Sequence, residues 1–489
     1  MNPVKRTRQA YDFASSFVAG FHPTSLRPML RANYARELTS WTFMPIMLTG
    51  INAGAMGVIL KKTFTGLPGT TDSGLALAVG TVGAATALGN LTSTIWASVS
   101  TGRNKVNLIV LLMIACSLCV GAMATVPASN TGAWMMASLV LIGWIFWSGV
   151  ITTRASVWRA NYPGSDRTSI AGRLASVQAV ISALSVFVVA KLLDGFSDED
   201  TWGTRLLEGA QIEFIEAETI QQQAFRVIFP VLAIFGLLGA SVYARVRLRG
   251  QSRLARVERS QKGDSRSIFE PLKVFGVLHR DRNYRNYIIC QFVFGAGNLL
   301  MMPVLALILI SRFDASYLES LLVTAIIPPI LMPLAIPMWA RLLSGMHVIS
   351  YRAVHSWIFV VAGLCFLTGS VLTEYWIIVL GSAVLGIGWA GGVLAWNLGH
   401  QHFAKPEQDT EYMSVHVVLT GVRGAFAPYL GVALYEVLKP SGQESWVFGV
   451  AALLSSIGAI GFLVLFRSQR RLIREWNADQ LDDESIDSE

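Results

Sequence analysis

The stretch VNLIVLLMIACSLCVGAMATVP, residues 106–127, contains no charged side chain and is long enough to cross a lipid bilayer as one helix. A helix rises about 1.5 Å per residue, so about 20 apolar residues span the hydrocarbon core. Backbone polar groups find no water in that core, and a helix pairs them internally. The stretch therefore predicts a transmembrane helix.

Eleven further apolar stretches bring the total to twelve predicted spans, and the composition agrees with this number. The chain has 489 residues, of which 53% are hydrophobic and only 14% are charged, whereas soluble proteins carry roughly 25% charged residues. We therefore expect an all-α membrane protein. Four prolines in span 8 mark a helix that bends or is statically kinked. The predicted spans are 41–60, 75–98, 106–127, 133–153, 173–193, 226–246, 286–310, 318–339, 349–371, 376–398, 413–436 and 445–466.

The positions of the basic residues predict the orientation of the spans. If both termini are in the cytoplasm, 31 of the 39 lysines and arginines lie on the inner side, seven lie outside and Arg423 lies within a span. Cytoplasmic loops carry such an excess of basic residues. An acidic loop, 194–225, then lies outside. The predicted segments are a cytoplasmic segment 1–40, a first bundle 41–246, a basic cytoplasmic linker 247–285, a second bundle 286–467 and a polar tail 468–489.

Several classes of function are disfavoured. The basic residues do not cluster beside aromatic residues, so we expect no nucleic-acid partner. Cys116 and Cys119 form a CxxC pair inside an apolar run, which favours two small residues on a helix face over a zinc or redox site. We find no phosphate loop, no nucleophile–base pair and no metal-ligand spacing. We therefore expect neither an enzyme nor a bound cofactor or metal.

Short sequence matches at a nearly constant spacing indicate an internal duplication. Each pair of matching segments occupies equivalent positions in the two sets of six spans. The pairs are WASVSTG (96–102) with WARLLSG (339–345), Ile142-Gly143-Trp144 with Ile387-Gly388-Trp389, and Asn52 with Asn298, at offsets of 243, 245 and 246 positions. The sequence thus predicts two pseudo-symmetric six-helix bundles.

With two such halves around a basic linker, the sequence resembles the major facilitator superfamily along residues 38–468. The family's loop between spans 2 and 3 has the form Gly-x-x-x-Asp-Arg-x-Gly-Arg-Arg/Lys. Only the end of this motif is present, as Gly102-Arg103-x-Lys105, while Ile95 replaces the first glycine and Val99 the acidic residue. Between spans 4 and 5, the segment from Arg159 through Pro163 to Gly172-Arg173 is similar to the family's Pro…Arg-Gly segment.

The resemblance implies alternating access, in which two bundles rock about a central site lined by spans 1, 4, 7 and 10. It also implies that residues in cytoplasmic loops latch one state of the cycle. The candidate gate residues are Gly102, Arg103, Lys105, Arg341 and Arg352. Ordinary anchoring by basic residues on the inner side is the alternative interpretation.

Polar and aromatic side chains deep in the spans are candidates for the solute pathway, because polar groups are costly in lipid. Asn52 and Asn298 lie near mid-bilayer depth, where they either bind the solute or join neighbouring helices. Tryptophans there offer flat faces to an organic ring, with packing as the alternative. The remaining candidates are Trp144, Trp147, Trp389, Trp396, Gln178 and Gln291.

Span 11 contains the most unusual residue, a mid-span arginine. Arg423 lies ten residues into the predicted span, and His416 precedes it by two turns on a similar face. A charge at this depth requires water, a partner or an anion. We predict either that Arg423 binds an anionic ligand or that it caps carbonyl groups of a neighbouring helix.

The positions of the acidic residues bear on energy coupling. Proton-coupled members of the family carry an embedded carboxylate, whereas the acidic residues nearest to the spans here lie near span ends: Glu37, Asp194, Asp314 and Glu436. We therefore favour facilitated diffusion or exchange over proton symport. His416 is the alternative proton carrier, because the pKa of a histidine is ordinarily near the working pH.

The sequence as a whole predicts a secondary transporter that moves a small organic solute, anionic or sugar-like, by alternating access. We expect a monomer in the bacterial inner membrane, whose partners are the solute and the lipid bilayer. The alternative is a membrane receptor or assembly factor on a transporter fold, which would show no flux.

Overall fold

The computed structural model describes residues 21–196, 224–252, 275–404 and 409–471, together with positions 205, 256 and 473. Eleven described helices are long and apolar enough to cross a bilayer, and a bent pair of helices provides a twelfth crossing. The expected all-α membrane fold is confirmed. Most of the predicted acidic loop 194–225 and of the polar tail lies outside the described residues.

Most spans begin and end within a few residues of the predicted positions, but span 1 begins at Pro28 and not at 41, and span 4 ends at Asn161 and not at 153. Span 1 is the bent pair Pro28–Ile51 and Ala53–Phe64. Spans 2 to 12 are Asp72–Leu91, Lys105–Thr125, Asn130–Asn161, Ile170–Gly195, Phe225–Tyr243, Arg282–Ser311, Tyr317–Ser344, Val348–Leu372, Tyr375–His402, Val415–Ser441 and Trp446–Ser468.

Successive spans run in opposite directions, so the molecule has two faces. We call the face where span 6 ends and span 7 begins the linker face, and the opposite one the far face. The flanks of the spans expose large apolar side chains: Leu334 is 73% exposed, and Trp376 and Val437 are each 75% exposed. Exposure of this kind is explained by contact with lipid.

The two halves repeat a contact as well as a sequence. The Nε1 of Trp96, at the end of span 2, donates to the carbonyl of Ile145 in span 4 at 2.8 Å. Trp339, at the end of span 8, donates in the same way to the carbonyl of Ile387 in span 10 at 2.9 Å. The tryptophans that begin the two matching segments therefore join equivalent pairs of spans.

Span 1 bends by 44° between its two helices. A short 3-10 turn, Thr49–Ile51, ends the first helix, and Asn52 begins the second as its N-cap by accepting from the Ala55 N–H at 3.0 Å. The break frees the carbonyl of Ile51, which accepts from the Nε1 of Trp144 at 2.7 Å. Neighbouring side chains thus satisfy the polar groups that the break exposes.

Span 8 is irregular at the proline-rich segment, as predicted. A π-helical turn, Leu322–Ile326, comes directly before Pro328 and Pro329. The prolines lack the N–H groups that would pair with carbonyls four residues earlier, so the helix widens there. Ser382 of span 10 donates to the carbonyl of Val323 at 2.6 Å.

The two bundles are joined by hydrogen bonds near the far face. Asp194, at the end of span 5, accepts from the backbone N–H groups of Tyr317 and Leu318 at 2.7 and 2.9 Å, and so caps the first helical turn of span 8. Asp72 of span 2 binds the ammonium groups of Lys61 in its own bundle and Lys439 in the other, at 2.9 and 2.6 Å. The bundles are therefore closed against each other at the far face.

Candidate solute-binding site in the second bundle

A cavity of about 290 Å³ lies among spans 7 to 11 of the second bundle. Its wall combines aromatic side chains with amide and guanidinium groups, the mixture typical of sites for small organic molecules. The cavity is lined by Gln291, Phe294, Gly295, Asn298, Met332, Arg352, Phe359, Trp389, Gly392, Val393, Trp396 and Arg423. The structure thus brings together five of the ten predicted pathway residues: Gln291, Asn298, Trp389, Trp396 and Arg423.

Arg423 is 6% exposed and lies against span 7. Its Nη1 donates to the backbone carbonyl of Gln291 at 2.6 Å, while its buried Nε has no hydrogen-bond partner among the described residues. The ion pairs of the described residues do not include Arg423. The carbonyl contact was one of the two predicted roles, and it leaves the charge of Arg423 without a counterion.

Gly295 makes room for this guanidinium. A Cβ at position 295 would overlap the Nη1 and Cζ of Arg423. Gly295 stands one turn after Gln291 in span 7, so a larger side chain would block the path of Arg423 to that carbonyl. Glycine at position 295 therefore allows the guanidinium of Arg423 to lie against span 7.

Arg352 was predicted to lie in a cytoplasmic gate loop, and the structure places it in the cavity wall instead. The residue belongs to the helix Val348–His355, which begins span 9, and is only 1% exposed. Its Nη1 lies 3.2 Å from the Nδ1 of His355, and its buried Nε has no partner among the described residues. Span 9 is helical and buried from its first turn, so Arg352 lies inside the bundle and not in the loop, and its gate role stays a prediction.

Three further polar atoms in or near the cavity are buried and have no partner in the described part of the chain: Gln291 Oε1, Asn298 Oδ1 and His416 Nε2. The ring of His416 lies 5.6 Å from that of Trp396, which lines the cavity. A buried polar group without a partner costs about 1–3 kcal/mol. Each of these atoms would gain a hydrogen bond from a polar solute that reached it.

The predicted pathway residues of the first bundle have partners within that bundle. Asn52 caps the second helix of span 1, and Trp144 binds the carbonyl of Ile51. The Oε1 of Gln178 accepts from the Nε1 of Trp41 at 3.1 Å, and the ring of Trp147 packs 6.0 Å from that of Trp41. Asn52 and Trp144 therefore hold the bend in span 1, unlike Asn298 and Trp389, their counterparts in the repeat.

The remaining predicted gate residues lie at the linker face. Gly102 has a φ of +72°, a conformation that favours glycine, and so permits the tight turn between spans 2 and 3. Lys105 is 2% exposed and donates from Nζ to the carbonyl of Ser100 at 3.3 Å. Arg103 and Arg341 are exposed. Gly102 and Lys105 thus shape their own loop.

The first bundle contains a carboxylate, Glu37, whose burial was not predicted from the sequence. Glu37 is 0% exposed, and its two oxygens accept from Trp158 Nε1 at 2.5 Å and from Tyr162 Oη at 2.8 Å. The half-buried Arg154 lies over the rings of Trp41 and Trp158, 4.1 and 4.5 Å from their centroids, and interacts electrostatically with Glu37. The predicted start of span 1 at residue 41 had placed Glu37 outside the helix, which begins at Pro28.

The chain matches the family model described as Major Facilitator Superfamily over residues 38–428. No curated protein sequence matches the chain. Among solved structures, a mutant of the nucleoside transporter NupG has 13% identity and a TM-score of 0.66, with 89% of this chain and 100% of that chain covered. A bacterial homologue of the human drug peptide transporters PepT1 and PepT2 has 15% identity and a TM-score of 0.62, with 90% of this chain and 100% of that chain covered. The xylose transporter XylE from E. coli has 14% identity and a TM-score of 0.58, with 89% of this chain and 98% of that chain covered. At these identities the likeness is one of fold.

Proposed function

The chain belongs to the major facilitator superfamily of secondary transporters for small solutes, and on this premise we propose that its solute is a small organic anion. The observation that carries the proposal is Arg423, a buried cation in the cavity wall whose described partner is one backbone carbonyl. A carbonyl supplies only a partial negative charge, so the guanidinium stays electrostatically unbalanced in a medium of low dielectric. A carboxylate or phosphate group on the solute would balance it.

The other cavity residues suit the organic part of such a solute. Phe359, Trp389 and Trp396 provide flat apolar surfaces, and Asn298 contributes an unpartnered amide oxygen that can accept from a hydroxyl or amine group. A receptor or assembly factor would have no need of unsatisfied polar atoms in an internal cavity. The cavity therefore favours transport over that alternative.

The solute would move by alternating access between the two faces. The hydrogen bonds that Asp194 and Asp72 accept close the far face, so the solute would enter and leave this state at the linker face. Span 1 begins and span 12 ends at the linker face, and Arg245, Arg247 and Arg249 follow span 6 there. This face is therefore the cytoplasmic one in our proposal, in a bacterial inner membrane. A reporter enzyme fused after Gly66 should report outside and one fused after Gly250 inside; the reverse pattern would contradict the orientation.

Exchange or facilitated diffusion is the proposed mode of transport. The described charged residues of the cavity wall are two arginines, so the cavity itself offers no carboxylate that would carry a proton with the solute. Counterflow of a labelled solute in proteoliposomes should persist after the proton gradient is collapsed with an uncoupler. Loss of counterflow in intact vesicles would show a dependence on protons.

Substitution of Arg423 tests the proposed site. A thermal-shift screen of neutral, cationic and anionic organic solutes should find stabilisers among the anions. Arg423→Lys keeps the charge but loses the planar fork that binds two oxygens at once, so affinity for the best anion should fall by roughly ten- to a hundredfold, the equivalent of about 1.5–3 kcal/mol. Arg423→Gln should weaken binding further.

The matched control is Arg467→Lys, at the exposed end of span 12, which should leave the affinity unchanged. Each variant is first checked for monodisperse elution after purification. Unchanged affinity in folded Arg423→Gln would remove Arg423 from the binding site.

A further inference from the structure

Arg352 is a second buried cation in the wall of the same cavity. It comes from span 9, whereas Arg423 comes from span 11, and the two side chains are 1% and 6% exposed. The Cζ of Arg352 lies 5.8 Å from the ring centroid of Phe294, which also lines the cavity. The cavity wall therefore carries two positive charges, whereas a solute with a single negative charge would need only one.

The contact with His355 does not balance the charge of Arg352. The Nε2 of His355 lies 2.8 Å from the carbonyl of Gly388, which accepts only, so this nitrogen carries the proton. The Nδ1 is then the acceptor for the Nη1 of Arg352 at 3.2 Å. An imidazole that donates at one nitrogen and accepts at the other is neutral, and Arg352 keeps its full charge.

Neither arginine takes part in the ion pairs of the described residues. Like charges in one apolar cavity repel each other, and the repulsion is strong because the medium screens it poorly. A singly charged anion would balance only one of the two guanidinium groups. An anion with two negative charges would balance both and would offer acceptors to the unpartnered Nε atoms of both arginines.

We propose that the solute is an organic dianion, a dicarboxylate or a phosphate monoester, held between Arg352 and Arg423. The inference rests on the proposed function, because it takes the cavity to be the solute site. The aromatic groups Phe359, Trp389 and Trp396 line the same cavity and accommodate a flat apolar body. The volume of about 290 Å³ fits a body of about one ring with its charged groups.

A series of ligands with one ring and different charges tests the number of charges. Phthalate carries two negative charges at pH 7.5, benzoate one and benzamide none, and phenyl phosphate represents the phosphate monoesters. Dissociation constants are measured by calorimetry on the purified full-length protein at constant ionic strength. Wild type should bind phthalate or phenyl phosphate at least tenfold more tightly than benzoate, and benzamide most weakly.

Arg352→Gln should remove the preference for two charges. The affinity of this variant for the preferred dianion should fall at least tenfold, to the level of benzoate, because the loss of one charged hydrogen bond weakens binding by about that factor. Its affinity for benzoate should stay within about threefold of wild type. Arg352→Lys should keep the order of preference, and it serves as the second variant where Arg352→Gln does not elute as a monodisperse species. The exposed Arg467→Gln controls for general ion effects.

The outcomes separate the two proposals. If wild type binds benzoate as tightly as both dianions, or if Arg352→Gln keeps the preference, the dianion inference is overturned, while sensitivity to Arg423→Gln would still support an anionic solute. If no anion binds more tightly than benzamide, both proposals fail.

Discussion

The two bundles place internal arginines in different surroundings. In the first bundle, Arg154 lies over two tryptophan rings and interacts with Glu37, a fully buried carboxylate. In the second bundle, Arg352 and Arg423 line a cavity, and their described hydrogen bonds go to a neutral histidine and a backbone carbonyl. The internal arginine of the first bundle therefore has an opposite charge within electrostatic range, whereas the two arginines of the second bundle have no such partner among the described ion pairs.

The difference shows that the two halves of a duplicated fold can keep the same scaffold and take different roles. Both halves keep the same tryptophan contact between equivalent spans, so the scaffold is shared. The polar residues inside have diverged: Asn52 caps a helix, whereas its counterpart Asn298 lines a cavity and its buried amide oxygen has no partner among the described residues. In our account the first bundle provides rigid support, and the second bundle provides the site.

The largest expected effect comes from removing the buried carboxylate of the first bundle. Glu37→Gln weakens two charge-assisted hydrogen bonds and leaves Arg154 without its opposite charge. The free energy of unfolding should therefore fall by roughly 3 kcal/mol. Chemical unfolding of the detergent-solubilised protein, followed by tryptophan fluorescence, measures the change.

The exposed Glu374, before span 10, gives the matched control. Glu374→Gln should change the free energy of unfolding by less than about 0.5 kcal/mol. A loss of under about 1 kcal/mol in Glu37→Gln would mean that the first bundle does not depend on its internal charge balance.

A smaller effect is expected from a glycine of the second bundle. In Gly295→Ala the new Cβ would overlap the guanidinium of Arg423, which must then leave the carbonyl of Gln291. Affinity for the preferred anion should fall about fivefold, equivalent to ~1 kcal/mol, because the displaced guanidinium can no longer make one of its hydrogen bonds to the anion. Calorimetric titration measures the change.

The control for this substitution lies in the first bundle. A Cβ at Gly172 would meet no atom within 4 Å, so Gly172→Ala should leave anion affinity unchanged. Equal affinities in Gly295→Ala and wild type would show that the position of the Arg423 guanidinium does not matter for binding.

Much of the fold was predictable from the sequence because lipid imposes a simple rule. Each span needs an apolar run of a set length, so the twelve crossings and the proline-rich irregularity in span 8 could be read directly. The bend in span 1 was not predicted, since no proline occupies the 3-10 turn Thr49–Ile51 where the helix changes direction. Its position depends on Asn52 and Trp144, which come together only in the fold.

The candidate site was only partly predictable, and the reason is the same for Glu37 and Arg352. Hydropathy marks where a span is apolar and not where its helix begins, so charged residues in the first turns were taken for loop residues. Glu37 belongs to a helix that begins 13 residues before the predicted span, whereas Arg352 lies in the first turns of a predicted span and was counted with the cytoplasmic loop; neighbouring spans bury both. Arg423 was found from the sequence because it interrupts the middle of an apolar run.

The most direct test compares the same substitution in the two bundles with no anion present. Arg154→Gln should lower the free energy of unfolding by about 1–2 kcal/mol, because it removes two ring contacts and the partner of Glu37. Arg423→Gln should leave the protein at least as stable as wild type, because it removes a buried charge that has no counterion among the described residues. If Arg423→Gln destabilises the anion-free protein as much as Arg154→Gln does, Arg423 is a structural residue, and the contrast between the bundles is wrong.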